Sequence, residues 1–353
     1  MSSQNASPDT LLLVFIHGFR GNDFTFKDFP ERLRTVLTNS IQALDVESIV
    51  YPQYRTQGEL HEATVAFCDW LVSAARDRRQ AQGPNGRILV ILVGHSMGGL
   101  LAADAVLHFH DKLPLHNSGP MATNSSDLRE LDATVLGLVA YDTPFYGLNP
   151  SLITDTALQR ASQATAQVSN YLPALGVAVP AVTSFFGSSQ TTTARAAETS
   201  PSTGSKWSAG KWGALAVGGF VASAAAAAVT YSQREHIQKG YEYFTSHLSF
   251  VGALFRNQEL HQRVDQLVAL EEVVFCGFYV QLEKPTVPVR TFIQLPPAKT
   301  KHYFYPLPSP AEDEIEGHVT IFKPASNPHY YAMGDTTFAI LIDAIKKHRE
   351  STK

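Results

Sequence analysis

Apolar runs alternate with helix-spaced polar stretches over the first 110 residues. "LLLVFIHG" (11–18) is continuously apolar until its last two residues, as expected of a strand covered on both faces. "DFPERLRTVL" (28–37) follows, with Pro30 suited to a helix first turn and Leu33, Val36 and Leu37 on one face. "SIVYPQY" (48–54) reads as a second strand. Thr56 and Glu59 form a T-x-x-E capping box for a helix with Val65, Cys68, Leu71 and Val72 on one face. That helix ends in "RDRRQAQGPNG", basic and then turn-forming. "RILVILVGHS" (87–96) is a third strand and runs into a helix. The order β-α-β-α-β-α predicts a parallel, doubly wound α/β sheet with right-handed crossovers.

"LPLHNSGPMATNSSDLRE" (113–130) reads as a polar surface loop, and "DATVLGLVAYDTPFYGL" (132–148) as a fourth strand breaking at Asp142-Thr143-Pro144. The alternation then stops. Residues 187–211 are a low-complexity Ser/Thr/Ala stretch. Trp212–Tyr231 is twenty residues without a charge, long enough for a membrane span. Ala and Gly dominate it, however, and it falls between two halves of one sheet, so it reads as a buried or interfacial insertion helix. Amphipathic stretches continue to residue 270. The sheet resumes in "EVVFCGFYVQLE" (272–283), "RTFIQLP" (290–296) and "KHYFYPL" (301–307). A closing helix carries Phe338, Leu341, Ile342 and Ile345 on one stripe. The pattern divides the chain into a core half at 9–150, a helical cap or insertion at 151–270, and a second core half at 271–350.

The composition of the 353 residues, 44% hydrophobic and 17% charged, is that of a globular chain. A net charge of -4 gives no basic footprint, so no nucleic-acid partner is expected. The 13 histidines include no H-E-x-x-H pattern. Cys68 and Cys276 sit in apolar stretches and read as buried free thiols, which favours a reducing compartment. The polar start lacks a basic n-region. The expectation is a cytoplasmic protein, with peripheral membrane contact through residues 212–231 left open.

Gly94-His95-Ser96-Met97-Gly98 is a G-x-S-x-G sequence between a strand and a helix, the context of a nucleophile elbow. A serine at the tip of so tight a turn leaves no room for side chains two residues away, and Gly94 and Gly98 supply none. Its oxygen then lies at a helix N-terminus, where a developing anion is favoured. His95 and Met97 read as spacers. An oxyanion hole needs two backbone N–H groups. Met97 supplies one, and the turn after the first strand, "HGFRG", supplies the other from Phe19, with Gly18 as the alternative. His17 reads as a structural hydrogen-bonder of that turn.

"FIHGF" and "GHSMGG" resemble the α/β-hydrolase superfamily. With "AYDTPFYGL" and "GHVTIFKPASNPHYY" the chain is similar, over about residues 9–345, to a family of fungal serine esterase/lipase-like proteins. The resemblance implies an α/β-hydrolase fold and ester hydrolysis through a Ser–acid–His triad, without metal or cofactor. In the chain order Ser, acid, His, the histidine follows the final strand. His318, in the "GHVTIF" pattern, is the first candidate and His329 the second, with His302 structural. Asp142 is the first candidate acid, placed as in pancreatic-type lipases. Glu283, one strand later, and Asp313, near the histidine, stay open. The expected substrate is an ester with a hydrophobic acyl group, free or in a lipid. A thioesterase or acyltransferase with the same triad, and a membrane- or protein-binding module with a vestigial site, are the alternatives.

Overall fold

Period-two alternation explains why the central strands read as unbroken apolar runs. Leu12, Val14 and Ile16 of the first strand point into one buried cluster, and Leu11, Leu13 and Phe15 into another. Val90 and Leu92 join the first cluster, Leu89, Ile91 and Val93 the second. Each strand therefore has two core faces and no solvent face, as parallel sheets demand.

The computed structural model describes residues 8–19, 21–54, 59–82, 86–113, 131–150, 152, 252–283 and 289–352. Its strands are β1 (Asp9–Ile16), β2 (Leu44–Val50), β3 (Ile88–His95), β4 (Thr134–Tyr141), β5 (Val274–Leu282) and β6 (Phe304–Ser309). Its helices are α1 (Phe29–Ser40), α2 (Leu60–Gln82), α3 (Met97–Phe109), α4 (Asn257–Val268), α5 (Glu314–Thr320) and α6 (Tyr330–Ser351). The strands form one six-stranded sheet in the order β2-β1-β3-β4-β5-β6, and every pair is parallel. The order reverses between β1 and β3, which opens a crevice at their carboxyl ends. Contacts group residues 1–152 and 232–353 into one compact unit and 153–231 into another. The sheet belongs to the first.

Three sequence expectations shift. β2 lies earlier than "SIVYPQY", ending at Val50, because Pro52 has no N–H for the ladder. As an edge strand it buries Leu44 and Val46 and exposes Asp45 between them. α2 begins at Leu60, so Glu59 is not the third residue of a Thr56-capped helix. Its carbonyl instead accepts the N–H of Glu62, while Thr56 lies outside the described residues. "RTFIQLP" is a strap and not a strand. It makes isolated antiparallel bridges, Thr291 to Gln281 and Ile293 to Leu148. Pro296 and Pro297 close it, and neither has an N–H to offer a ladder.

α3 is the best-buried helix: every residue from Met97 to Leu107 is buried. Its one carboxylate, Asp104, accepts two hydrogen bonds from Arg263 of α4, at 2.6 and 3.1 Å. Leu341, Ala344 and Ile345 of α6 are buried, with Phe338 and Ile342 half-buried beside them. Residues 114–130, the low-complexity stretch 187–211 and Trp212–Tyr231 lie outside the described residues, as does most of the expected cap. Among the described residues no helix is long and apolar enough to cross a membrane.

Candidate active site

Ser96 joins the end of β3 to the start of α3 with φ 56° and ψ -131°. A positive φ is costly for a residue with a Cβ and persists only where the surroundings enforce it. Here they do. The Ser96 N–H donates to the Tyr141 carbonyl at 2.9 Å, and the Ser96 carbonyl accepts from Gly99 at 3.0 Å. A Cβ on Gly98 would run into the carbonyl oxygens of Ile16 and His17, and one on Gly94 into the backbone of Gly99. The two motif glycines thus let α3 pack against the ends of β1 and β3.

The turn after β1 lies over the serine. A Cβ on Gly18 would stand 2.5 Å from the Ser96 Cβ and 3.0 Å from its Oγ. Phe19, the next residue, is half-buried in this turn. Met97 is the first residue of α3, so its N–H is one of those with no acceptor inside the helix. Both candidate oxyanion donors therefore stand in segments that flank Ser96. His17 is fully buried. Its Nδ1 lies 3.0 Å from the Gly18 carbonyl, its ring stacks on Tyr54, and its Nε2 has no hydrogen-bond partner among the described residues. Burial pushes its pKa below the usual 6.5.

Asp142 follows β4 at φ 46° and is fully buried. Its carboxylate accepts the Val280 N–H at 3.0 Å and the His318 Nδ1–H at 2.7 Å. With Nδ1 donating to the carboxylate, the lone pair of His318 lies on Nε2, the tautomer a general base requires. His318 is 7% exposed and belongs to the short α5, capped by the Asp313 carboxylate through the Glu316 N–H at 2.8 Å. Ser96, 8% exposed, has no side-chain hydrogen bond among the described residues. Nucleophile–base hydrogen bonds are often long without substrate.

Of the alternatives, Glu283 and His329 meet each other, 3.8 Å apart and each more than a third exposed. Asp313 caps a helix, and His302 is exposed on the turn before β6, against Tyr303. The Asp142 carboxylate bonds Val280 and His318 instead. The buried thiols of Cys68 and Cys276 are free. Burial raises both pKa values, that of Cys276 to about 12, so neither supplies a thiolate. Among the described residues no cluster of three metal-ligating side chains occurs.

Sequence reasoning missed two ring neighbours of His318 and a buried ion pair at the start of its helix. The His95 ring stacks on it with centroids 4.6 Å apart. The Phe292 ring stacks on it at 3.7 Å. Glu314, at the start of α5, is buried and takes two 2.7 Å hydrogen bonds from Arg290. Burial, with His318 and His17 nearby, holds the pKa of His95 well below the usual histidine range, so this ring is neutral.

A family model described as the alpha/beta hydrolase family matches residues 13–241. The chain belongs to this family of hydrolases. No curated protein matches it. A carboxylesterase from the thaumarchaeon Nitrososphaera gargenis is similar at 11% identity, over 97% of this chain and 93% of that one, with a TM-score of 0.37. The juvenile hormone epoxide hydrolase of the silkworm Bombyx mori is 13% identical over 98% of this chain and 74% of its own, at a TM-score of 0.37. The phospholipase PlaB of Legionella pneumophila is 15% identical over 41% of this chain, at a TM-score of 0.27, and the match spans 27% of the phospholipase.

Proposed function

We propose that this hydrolase is a serine carboxylic-ester hydrolase. The observation that carries the reading is the buried 2.7 Å pair of Asp142 and His318, together with a serine held at positive φ on the tip of β3 whose N–H bonds the carbonyl of Tyr141, the residue before Asp142. Ser96 attacks the acyl carbonyl while Nε2 of His318 takes its proton. Asp142 holds the imidazole tautomer and stabilises the imidazolium as it forms. The N–H groups of Met97 and Phe19 receive the oxyanion. The protonated His318 then gives its proton to the leaving alcohol, and water resolves the acyl-enzyme by the same steps in reverse. No part of this cycle calls on a metal or cofactor. The preference for a hydrophobic acyl group rests on the apolar composition of residues 212–231 within the proposed cap at 151–270. That stretch is also the proposed point of peripheral membrane contact in an otherwise cytoplasmic protein.

A panel of p-nitrophenyl esters of increasing acyl length tests both levels. The expected result is hydrolysis that strengthens beyond acetate and is lost in Ser96→Ala. Wild-type turnover in Ser96→Ala would remove the serine mechanism, and a preference for acetate would remove the hydrophobic acyl substrate.

A further inference from the structure

We propose that His95, the residue before the nucleophile, is a positioning residue for the general base: it stacks against the His318 imidazole and caps the helix that carries it, while Phe292 holds the opposite face. The proposal rests on the reading of His318 as the base.

His95 and Phe292 both lie near-parallel to the His318 ring, at interplanar angles of 28° and 17°. They make no ring contact with each other, so they occupy its two faces. The imidazole is thus a middle layer, free to present only its edges, and Asp142 takes one of them. His95 also reaches the backbone of the same residue, with Nε2 3.2 Å from the His318 carbonyl oxygen. That carbonyl is among the last four of α5, which find no acceptor role within the helix. Nε2–H of His95 donates to it, which fixes the His95 tautomer. One side chain therefore sets both the ring plane and the backbone of the base.

The opposite layer is anchored as firmly. Phe292 rides on the strap of residues 290–294. Its carbonyl accepts from Asn149 at 3.0 Å, the Arg290 carbonyl accepts from Leu282 at 3.0 Å, and Gln294 donates to Gly147 at 2.8 Å. The Arg290–Glu314 pair ties the strap directly to the start of α5.

The chemistry gives the stack a purpose beyond rigidity. When His318 takes the serine proton it becomes a cation between two π faces, an arrangement that favours charge. A protonated His95 would oppose it. The ionisable groups around His95 are His17 from the end of β1 and His318 itself, with Asp142 beyond His318. The Arg290–Glu314 pair sits at the first residue of α5. Phe322 meets the remaining edge of His95.

The test compares His95→Ala, which loses ring and donor, with His95→Phe, which keeps the ring. The readouts are kcat and KM on a p-nitrophenyl ester, the pH dependence of kcat/KM, and the low-field NMR resonance of His318 Nδ1–H. In His95→Ala, kcat should fall about 10- to 100-fold, the scale of a misplaced catalytic group, with KM little changed. The acidic limb of the pH profile should move and the low-field resonance should broaden or vanish. His95→Phe should recover most of the kcat and the resonance. The proposal is overturned if His95→Ala keeps the wild-type kcat, pH profile and resonance. It is equally overturned if a folded His95→Phe is as impaired as His95→Ala. Should His95→Ala fail to fold, His95→Phe and Phe292→Leu take its place: near-wild-type kcat for the first and a comparable 10- to 100-fold loss for the second support the stack, and the reverse order overturns it. His318→Ala separates the two levels. Retained activity there sinks the base assignment, whereas a dead His318→Ala beside an unimpaired His95→Ala sinks only the positioning role.

Discussion

Asp104 and Asp142 are both buried carboxylates, and they have opposite fates. Asp104, in the middle of α3, meets Arg263 through two hydrogen bonds. Its partner is always charged, and the pair acts as a strut between α3 and α4. Asp142 meets a histidine and a backbone N–H. Its partner is a group whose charge can change, so the pair holds a place where a cation can form. The backbone marks the same distinction: Asp104 is helical, while Asp142 is held at a positive φ. Burial of a carboxylate alone therefore does not mark a reactive site; under the proposed mechanism it is the histidine partner of Asp142 that sets it apart from Asp104.

Substitutions break this comparison along two separate axes. Ser96→Ala defines the floor and should lower kcat by about 10⁶-fold if the three residues act as a unit, measured by ester turnover. Asp142→Asn should cost about 10⁴-fold, because an amide can hold the imidazole in the wrong tautomer. Its unfolding midpoint should move far less than its turnover. Arg263→Ala leaves the Asp104 charge buried and alone, and should destabilise the fold by about 3–5 kcal/mol in urea titration while the folded fraction turns over normally. Replacing both partners, Asp104→Leu with Arg263→Met, should recover most of that loss. A stability defect as the main effect of Asp142→Asn, or lost turnover as the main effect of Arg263→Ala, would erase the distinction.

The smallest effect is one of pH. Burial holds His17 and His95 below the usual 6.5 in the fold, so as pH falls the unfolded chain takes up protons first. Their contribution is flat above pH ~6.5 and lowers stability below it. The urea midpoint should therefore be lower near pH ~5 than near pH ~7.5, and an equal or higher midpoint at the acid value contradicts the assignment.

How much of this was legible in the sequence follows from how local each constraint is. The elbow could be read because its five residues, Gly94 to Gly98, are one contiguous pattern between a strand and a helix, although the backbone that excludes a Cβ at Gly98 belongs to the end of β1. The strands could be read because a parallel sheet buries both faces, so β1 and β3 are unbroken apolar runs. The partner of His318 could not be read the same way. Asp142 lies 176 residues away, and only the parallel pairing of β4 with β5 brings Val280 and α5 to it. From the sequence, Asp142, Glu283 and Asp313 therefore all stay open as the acid. His95 was hidden for another reason. The x position of G-x-S-x-G carries no local demand, and its neighbours arrive from α5. Phe292 sits in a stretch whose β-rich composition reads as a strand, and only the prolines around it argue for a strap.

The most direct test of the central claim is covalent. A fluorophosphonate probe, followed by intact mass and peptide mapping, should place one adduct on Ser96 in the wild type. Labelling should be much slower in Asp142→Asn and absent in Ser96→Ala. An adduct on another residue, or equal labelling of wild type and Ser96→Ala, would contradict the account.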